Sequence, residues 1–351
     1  MLPANQGNAN CYALLYTNIL AVLQSAALIF YRYPTLRNMP DISRNRALAY
    51  LHIAVLLWGF TAILGKLISY GSFLLVWQRM SLTSLVYLAL PVVWKSLARL
   101  SWRQIRIFLG IGLVVCAHWI TFYGSIKLGN SASVTLACLS AASFFASLME
   151  PWLLRKPVSK KDLVLGAIVI GGILLIYGTQ IAEQAAEFQH LNGSGFGAAV
   201  ISGLLSAALA ALFTVLNKKY IEEADAWAIS TLEMVSGATA LSLLMPLWLK
   251  PEDSLLPQMA SDWIWTLLLA LLCTNLTFWL GTRALSQLSA FTANLTVNLE
   301  PVYGIVLGAL IFHENEDLNS WFYVGTAVIL GAIFASPLID QYQKRKGISR
   351  P

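Results

Sequence analysis

Apolar residues fill the chain in blocks of about 20 residues, each long enough as a helix to cross a hydrocarbon layer roughly 30 Å thick. Short polar joints separate one block from the next. The pattern therefore predicts ten membrane-spanning helices. Their predicted ranges are 47–68, 72–95, 105–127, 131–153, 161–179, 196–217, 226–249, 262–284, 289–312 and 320–340.

A further apolar block lies at residues 11–31 and contains Asn18 and Gln24. Three interpretations stay open: an eleventh spanning helix, a helix on the membrane surface, or an upstream extension that precedes a start at Met39. The block lacks the charged beginning of a secretory signal peptide. We treat residues 1–45 as an N-terminal extension that carries an uncertain hydrophobic segment.

The composition agrees with an all-α integral membrane protein. Hydrophobic residues make up 58% of the chain, charged residues only 11%, and the mean hydropathy is +0.67. A soluble domain carries far more charge. Cysteines stand singly within apolar blocks, in no spacing typical of a metal site or a disulfide framework.

The net charge of +6 is explained by topology. Cytoplasmic joints of membrane proteins retain Lys and Arg, and these residues collect here in alternate joints. The basic positions on the predicted cytoplasmic side are Arg44, Arg46, Lys95, Arg99, Arg103, Arg106, Arg155, Lys160, Lys161, Lys218 and Lys219. We therefore expect a multi-pass protein of the plasma (inner) membrane, with both ends of the ten-helix core and the basic tail at 341–351 in the cytoplasm. Nucleic acid is not an expected partner.

The core repeats itself. Aligning Gly166 with Gly325 superimposes the fifth and tenth spans, and the spans just before them overlap with a residue or two of drift. Earlier in each unit, residues 55–67 correspond to residues 206–220, and Arg79 falls opposite Glu233. Each unit contains five spans, so the second must enter from the other side. The predicted units are 46–180 and 195–340. Inverted repeats of this kind build transporters whose site lies between the halves, near the middle of the membrane.

Two stretches resemble the EamA family of the drug/metabolite transporter superfamily. They are LLWGFTAILGK (56–66), followed by WQR (77–79), and NLEPVYGIVLGALIFHE (298–314). The resemblance covers residues 46–340 and implies a ten-helix inverted-repeat fold that moves small metabolites, commonly amino acids or related compounds, outward and often with the proton gradient. Pro301 and Glu314 match the family's proline and glutamate, whereas Ala142 and Arg155 replace them in the first half.

Glu300 is the least favourable residue of the ninth span to place in a membrane, because the transfer of an ionised group into a bilayer costs at least about 2.5 kcal/mol. On a helix Thr296 and Tyr303 share its stripe, while Asn294 and Asn298 lie on a roughly opposite one. A helix that is polar on two sides cannot face lipid, so we expect this span to line a cavity. Glu300 then takes up and releases a proton or contacts the substrate. The alternative is a protonated carboxyl that hydrogen-bonds a neighbouring helix.

Arg79 and Glu233 are the other costly charges within predicted spans. The favoured interpretation is a structural ion pair that joins the two halves. In the alternative, the Arg79 guanidinium binds a carboxylate or phosphate of the substrate, which its planar fork suits.

Further site candidates each have a structural alternative. His118 is a proton relay or a hydrogen-bonded core residue. Lys66 belongs to the family-like motif or extends to the membrane interface. Trp58, with Trp77, Trp119 and Trp279, forms pocket walls or packs in the core, and Asn275 with Thr277 lines the cavity or joins helices.

A secondary transporter, an exporter working by alternating access with protons as a coupling ion, explains this sequence best. The alternative is a membrane-embedded receptor or structural protein without transport. An enzyme is not expected, because no catalytic constellation, metal site or nucleotide-binding loop is visible. The expected partners are a small solute, the lipid bilayer, protons and a second copy of the chain in a homodimer, with no cofactor.

Overall fold

The computed structural model describes residues 42–155, 157, 159–187, 194–248, 254–285, 287–288, 296–297, 299–314, 318 and 320–345. The apolar block at 11–31, Asn294, Asn298 and the last residues of the basic tail lie outside this part of the chain.

Secondary structure in the described residues is helical throughout. The helices are α1 (Arg44–Leu67), α2 (Ser72–Leu88), α3 (Pro91–Leu97), α4 (Trp102–Gly129), α5 (Ala132–Leu139), α6 (Ala142–Leu154), α7 (Lys160–Glu187), α8 (Ser194–Tyr220), α9 (Ala226–Trp248), α10 (Ala260–Ala270), α11 (Thr277–Leu285), α12 (Glu300–Phe312) and α13 (Ser320–Arg345). A 3₁₀ turn (Ile221–Glu223) follows α8, and a π-helical segment (Leu271–Leu276) joins α10 to α11.

Six of these helical stretches are long and apolar enough to cross a membrane, or seven if the bent pair α2 and α3 is one span. Three shorter apolar helices cover Leu163–Ile176, Glu300–Phe312 and Ser320–Ala335. The described chain is therefore compatible with a multi-pass helical membrane protein.

Polar residues at the joints explain where several helices begin and end. The Ser43 hydroxyl accepts a hydrogen bond from the backbone N–H of Arg46 at the start of α1, and Ser101 forms a capping box with Gln104 at the start of α4. These side chains satisfy N–H groups that the first turn leaves free. Asn130 ends α4 in the left-handed conformation, with φ of 45°.

The prediction of one straight helix over 72–95 is wrong. The helix axis bends by 90° between α2 and α3. Pro91 disfavours the helical conformation at Leu90, which is extended, and then occupies the first turn of the next helix, where its missing N–H is not needed.

Two other predicted spans are interrupted, at Ser140–Ala141 between α5 and α6 and at the π-helical segment between α10 and α11. In the ninth span, α12 begins at Glu300, so Pro301 lies in its first turn and interrupts no helical hydrogen bond there.

The helices pack in pairs that cross between the two predicted units. α4 lies along α8 and α11 along α1, while α6 packs on α8 and α12 on α1. α2 also packs on α9, and α7 on α13. Glycines permit the closest approaches: a Cβ on Gly59 of α1 would lie 2.9 Å from the backbone nitrogen of Gly304 in α12.

Candidate functional site

A cavity of about 540 Å³ lies among the central turns of the helices. It is the larger of two described pockets, and its lining combines aromatic side chains with buried charges and hydroxyl groups. The lining residues used below are Trp58, Thr61, Arg79, Tyr87, His118, Trp119, Phe122, Ser140, Phe213, Thr214, Ser230, Glu233, Thr274, Thr277, Phe278, Glu300 and Pro301. Its size and mixed lining are typical of a small-molecule site.

Arg79 is buried in the middle of α2 and held on three sides. Its Nε donates to the Thr274 hydroxyl at 2.9 Å, and its Nη1 donates to the Tyr123 hydroxyl at 2.6 Å. Its Cζ lies 3.7 Å from the centroid of the Trp119 ring, a cation–π contact. The guanidinium is therefore fixed in orientation at the wall of the cavity.

Two carboxylates face the same cavity. Glu300 stands in the first turn of α12, where the helix dipole favours negative charge, and it interacts electrostatically with Arg79. Glu233 comes from the first half of α9 and is buried. The described residues contain no ion pair between Arg79 and Glu233, because Arg79 donates to neutral hydroxyls. The predicted ion pair is therefore not among the described contacts of Arg79.

His118 lines the cavity but is hydrogen-bonded to the protein. Its Nδ1 lies 2.9 Å from both the carbonyl oxygen and the hydroxyl oxygen of Ser206 in α8. Through these contacts His118 joins α4 to α8, as expected for a hydrogen-bonded core residue. Trp58 lines the cavity as expected, together with Trp119.

Several predicted site residues lie away from the cavity. The Asn275 amide donates to the Ala270 carbonyl oxygen within its own helix, and Tyr303 contacts His52 of α1 through its hydroxyl. Thr296 is buried outside the described lining. Trp77 donates its indole N–H to Ser242, and Trp279 packs near Tyr50.

The sequence pattern did not indicate several hydroxyl groups that line the cavity. Ser140 stands at the break between α5 and α6, and Thr274 lies within the π-helical segment. Thr61 and Thr214 occupy corresponding places in α1 and α8. A lone Ser or Thr inside an apolar span is too common to be informative, and only the helix interruptions, which the pattern did not indicate, distinguish Ser140 and Thr274.

Lys66 forms a buried ion pair with Glu314 beyond the end of α12. The Lys66 Nζ lies 2.9 Å from the Glu314 Oε1, and the two side chains are 15% and 3% exposed. The Glu314 carboxylate also accepts hydrogen bonds from the backbone N–H groups of Ala132 and Ser133, at the start of α5. Burial alone would raise the pKa of the Glu314 carboxyl, but the hydrogen bonds from Ser133, Lys66 and Ala132 lower it below its ordinary value.

A second polar cluster joins the start of α2 to α10 at the same end of the molecule. Asp262 accepts hydrogen bonds from the backbone N–H of Ser69 at 2.9 Å and from its hydroxyl at 2.6 Å. Tyr70 contacts Gln78 and Thr266 through its hydroxyl. Together with the Lys66–Glu314 pair, this cluster connects the ends of the helices that surround the cavity.

Comparison with protein families finds two matches to one family, described as the EamA-like transporter family. The first match covers residues 45–178 and the second residues 197–336. The same module therefore occurs twice along the chain.

Curated relatives are distant. An uncharacterized transporter, YetK, of Bacillus subtilis (strain 168) is 24% identical over 234 residues, which cover 66% of this chain and 66% of the relative, just under two thirds of its length. A probable amino-acid metabolite efflux pump of Salmonella typhimurium is 23% identical over 66% of this chain and 76% of its own length. A solved crystal structure superimposes with a TM-score of 0.57 at 16% identity, covering 86% of this chain and 100% of the solved one. That likeness concerns the fold alone.

Proposed function

Because the chain belongs to the EamA-like transporter family, we propose that it is a secondary transporter that carries a small organic solute across the membrane by alternating access. The observation that supports this most is the cavity of about 540 Å³ with Arg79, Glu233 and Glu300 in its lining. Charges at this depth are retained mainly where they meet one another, water or a solute.

The packing supports ten spans in two inverted units. The contact of α4 with α8, in the third and sixth spans, has a counterpart in the contact of α11 with α1, in the eighth and first spans. In two units of five spans, the third span corresponds to the eighth and the sixth to the first. Under the alignment of Gly166 with Gly325, the break at Ser140–Ala141 corresponds to the start of α12 at Glu300. The end of α5 and the start of α12 then lie at equivalent positions, as expected for inverted repeats around a central site.

We propose that this conformation faces the cytoplasm. The lining extends to Tyr87 near the end of α2 and to Ser230 near the start of α9, next to joints rich in Lys and Arg. Those joints are cytoplasmic under the positive-inside rule, with both ends of the core on that side of the plasma (inner) membrane. At the opposite end the Lys66–Glu314 pair and the Ser69–Asp262 hydrogen bonds hold the helices together. Outward opening would have to break these contacts.

For the solute we propose amino acids or related compounds, moved outward. The Arg79 guanidinium suits a carboxylate, and the aromatic walls formed by Trp58, Trp119 and Phe213 suit an apolar side chain. The Salmonella relative described as a probable amino-acid metabolite efflux pump supports the same class and direction.

Counterflow in liposomes tests the transport function. Liposomes that contain the purified full-length protein are preloaded with one unlabelled amino acid at a time. They are expected to accumulate the same amino acid in labelled form transiently, and liposomes without protein are not. A solute that stabilises the protein against heat but shows no counterflow would instead support a membrane-embedded receptor.

Glu300→Gln tests proton coupling. We propose that Glu300 carries the coupled proton, so removal of its titratable group is expected to abolish solute-driven proton flux while counterflow persists, because exchange needs no net proton movement. The measurement is the fluorescence of a pH-sensitive dye inside the liposomes. Glu223→Gln, at the exposed pair with Arg103, is the matched control and should retain coupling. Full coupling in Glu300→Gln would exclude this role.

A further inference from the structure

Glu233 has an oxygen that the protein leaves without a hydrogen bond. Its side chain lines the cavity and the residue is 7% exposed, yet Oε1 has no partner among the described residues. The side chain of Asn217 in α8 interacts with this carboxyl, but the Asn217 Oδ1 is buried without a partner too. Two acceptors without donors at one place are unfavourable unless another group supplies hydrogens.

The charge balance of the cavity indicates what that group is. Among the described lining residues, Arg79 is the one permanently positive side chain, and Glu233 and Glu300 are both acidic. Arg79 interacts electrostatically with Glu300. The neighbours of Glu233 in the lining, Ser230 and Met234, bring no positive charge. Arg79 alone therefore does not balance both carboxylates when Glu300 is ionised.

We infer that this cavity selects solutes with a protonated amine, and that Glu233 is the specificity-determining residue that accepts the hydrogen bonds of the ammonium group. The inference rests on the transport function proposed above and deepens it. An ammonium group carries three donors, one of which can reach the Glu233 oxygen that faces the cavity, and its bonds to a carboxylate are charge-assisted. Tyr87 and Phe278 also line the cavity, and aromatic rings attract a nearby cation.

The roles of the three charges then separate. Glu233 recognises the amine, Arg79 recognises the carboxylate, and the apolar part of the solute contacts the aromatic walls. Amines without a carboxylate remain ligands, whereas solutes whose amine is blocked bind more weakly than their free counterparts. A proton shared between Glu233 and Asn217 would also satisfy both oxygens, and this alternative predicts no preference for amines.

The test is a binding titration of the full-length protein in detergent, followed by tryptophan fluorescence and thermal shift. The probes are matched sets: phenylalanine, N-acetylphenylalanine and phenethylamine, with the corresponding compounds of leucine and lysine. In at least one set the free amino acid is expected to bind roughly 10- to 100-fold more tightly than the N-acetyl compound, because both carry the carboxylate and only the first carries the amine. This comparison uses the unmodified protein, so it does not depend on the folding of a variant.

Glu233→Gln should remove this preference. Its affinity for the free amino acid is expected to fall to that of the N-acetyl compound, its affinity for the amine should fall as well, and its affinity for the N-acetyl compound should not change. Glu150→Gln, at the exposed pair with Lys218, is the matched control and should bind like the unmodified protein. Equal binding of blocked and free amines, an unchanged Glu233→Gln, or no binding of any amine probe would overturn the inference.

The outcomes keep this inference separate from the transport proposal. Glu233-dependent amine binding without counterflow would leave the inference standing and reject transport. Counterflow of solutes without an amine, unaffected by Glu233→Gln, would support transport and reject the inference.

Discussion

Arg79→Ala is expected to weaken the binding of carboxylate-bearing solutes by roughly 10- to 100-fold, and to reduce counterflow at subsaturating solute accordingly. Two effects act together. The solute loses a charge-assisted partner that Thr274, Tyr123 and Trp119 hold in a fixed orientation. In addition, Glu233 and Glu300 remain in the cavity without a positive counter-charge. The measurement is the same fluorescence titration, with the phenylalanine and phenethylamine pair.

The phenethylamine probe distinguishes the anchor role from a general loss of structure. Without a carboxylate it should lose little affinity in Arg79→Ala, so the variant is expected to reverse the preference between the two probes. Arg79→Lys should restore only part of the affinity, because an ammonium group cannot form the planar fork. Arg103→Ala, which removes the exposed ion pair with Glu223, is the matched control. Equal losses for both probes would contradict the anchor role and indicate a structural one.

Most helix ends could be predicted, because the thickness of a membrane restricts the length of the apolar stretches that cross it. A spanning helix needs an apolar stretch of fixed length, so the polar joints reveal most helix ends within a few residues. α4, for example, covers Trp102–Gly129 where the pattern predicted 105–127. The interruptions could not be predicted in the same way, because Ser140 and the π-helical segment lie within continuous apolar blocks. The bend before Pro91 was foreseeable, since proline disfavours a helical conformation of the preceding residue.

The site could be predicted only in part, for a related reason. Buried charges are rare enough in an apolar span to be informative, and Arg79, Glu233, Glu300 and His118 all reach the cavity. Their pairing depends on small rotations of packed helices, which hydrophobic periodicity does not fix. The sequence therefore favoured an Arg79–Glu233 pair, whereas the described contacts of Arg79 are hydroxyl groups and an indole ring.

The partner of Lys66 could not be predicted from the sequence pattern either. Its position near the end of α1 suggested an extended side chain at the interface, but it lies 2.9 Å from Glu314 in a buried pair. Lys218, near the end of α8, lies 2.8 Å from Glu150 in α6. Each lysine lies near the end of the first helix of its proposed unit, but Glu314 aligns with Arg155 and not with Glu150. The two pairs differ in burial, since the side chains of Lys218 and Glu150 are 51% and 33% exposed.

Glu314→Ala is consequently expected to lower the free energy of unfolding by roughly 1.5–3 kcal/mol, because the partly buried Lys66 ammonium loses its charge-assisted hydrogen bond. The same change removes the acceptor for the N–H groups of Ala132 and Ser133 at the start of α5. Equilibrium unfolding in mixed micelles measures the effect. Glu150→Ala, at the exposed pair, is the control and should change stability by less than about 1 kcal/mol.

Lys66→Met in the Glu314→Ala background tests the cause. If the unpaired ammonium dominates, the double variant is more stable than Glu314→Ala alone, and the remaining loss reflects the start of α5. The proposed alternating access gives a further expectation: weakening this pair lowers the free energy of outward opening, so a cysteine placed at Ser133 should react faster with a membrane-impermeant thiol reagent in Lys66→Met than in the parent with the same cysteine. Equal stability of the Glu314→Ala and Glu150→Ala variants would show that burial adds nothing to the pair. Equal rates of cysteine modification would show that the Lys66–Glu314 pair does not break during outward opening.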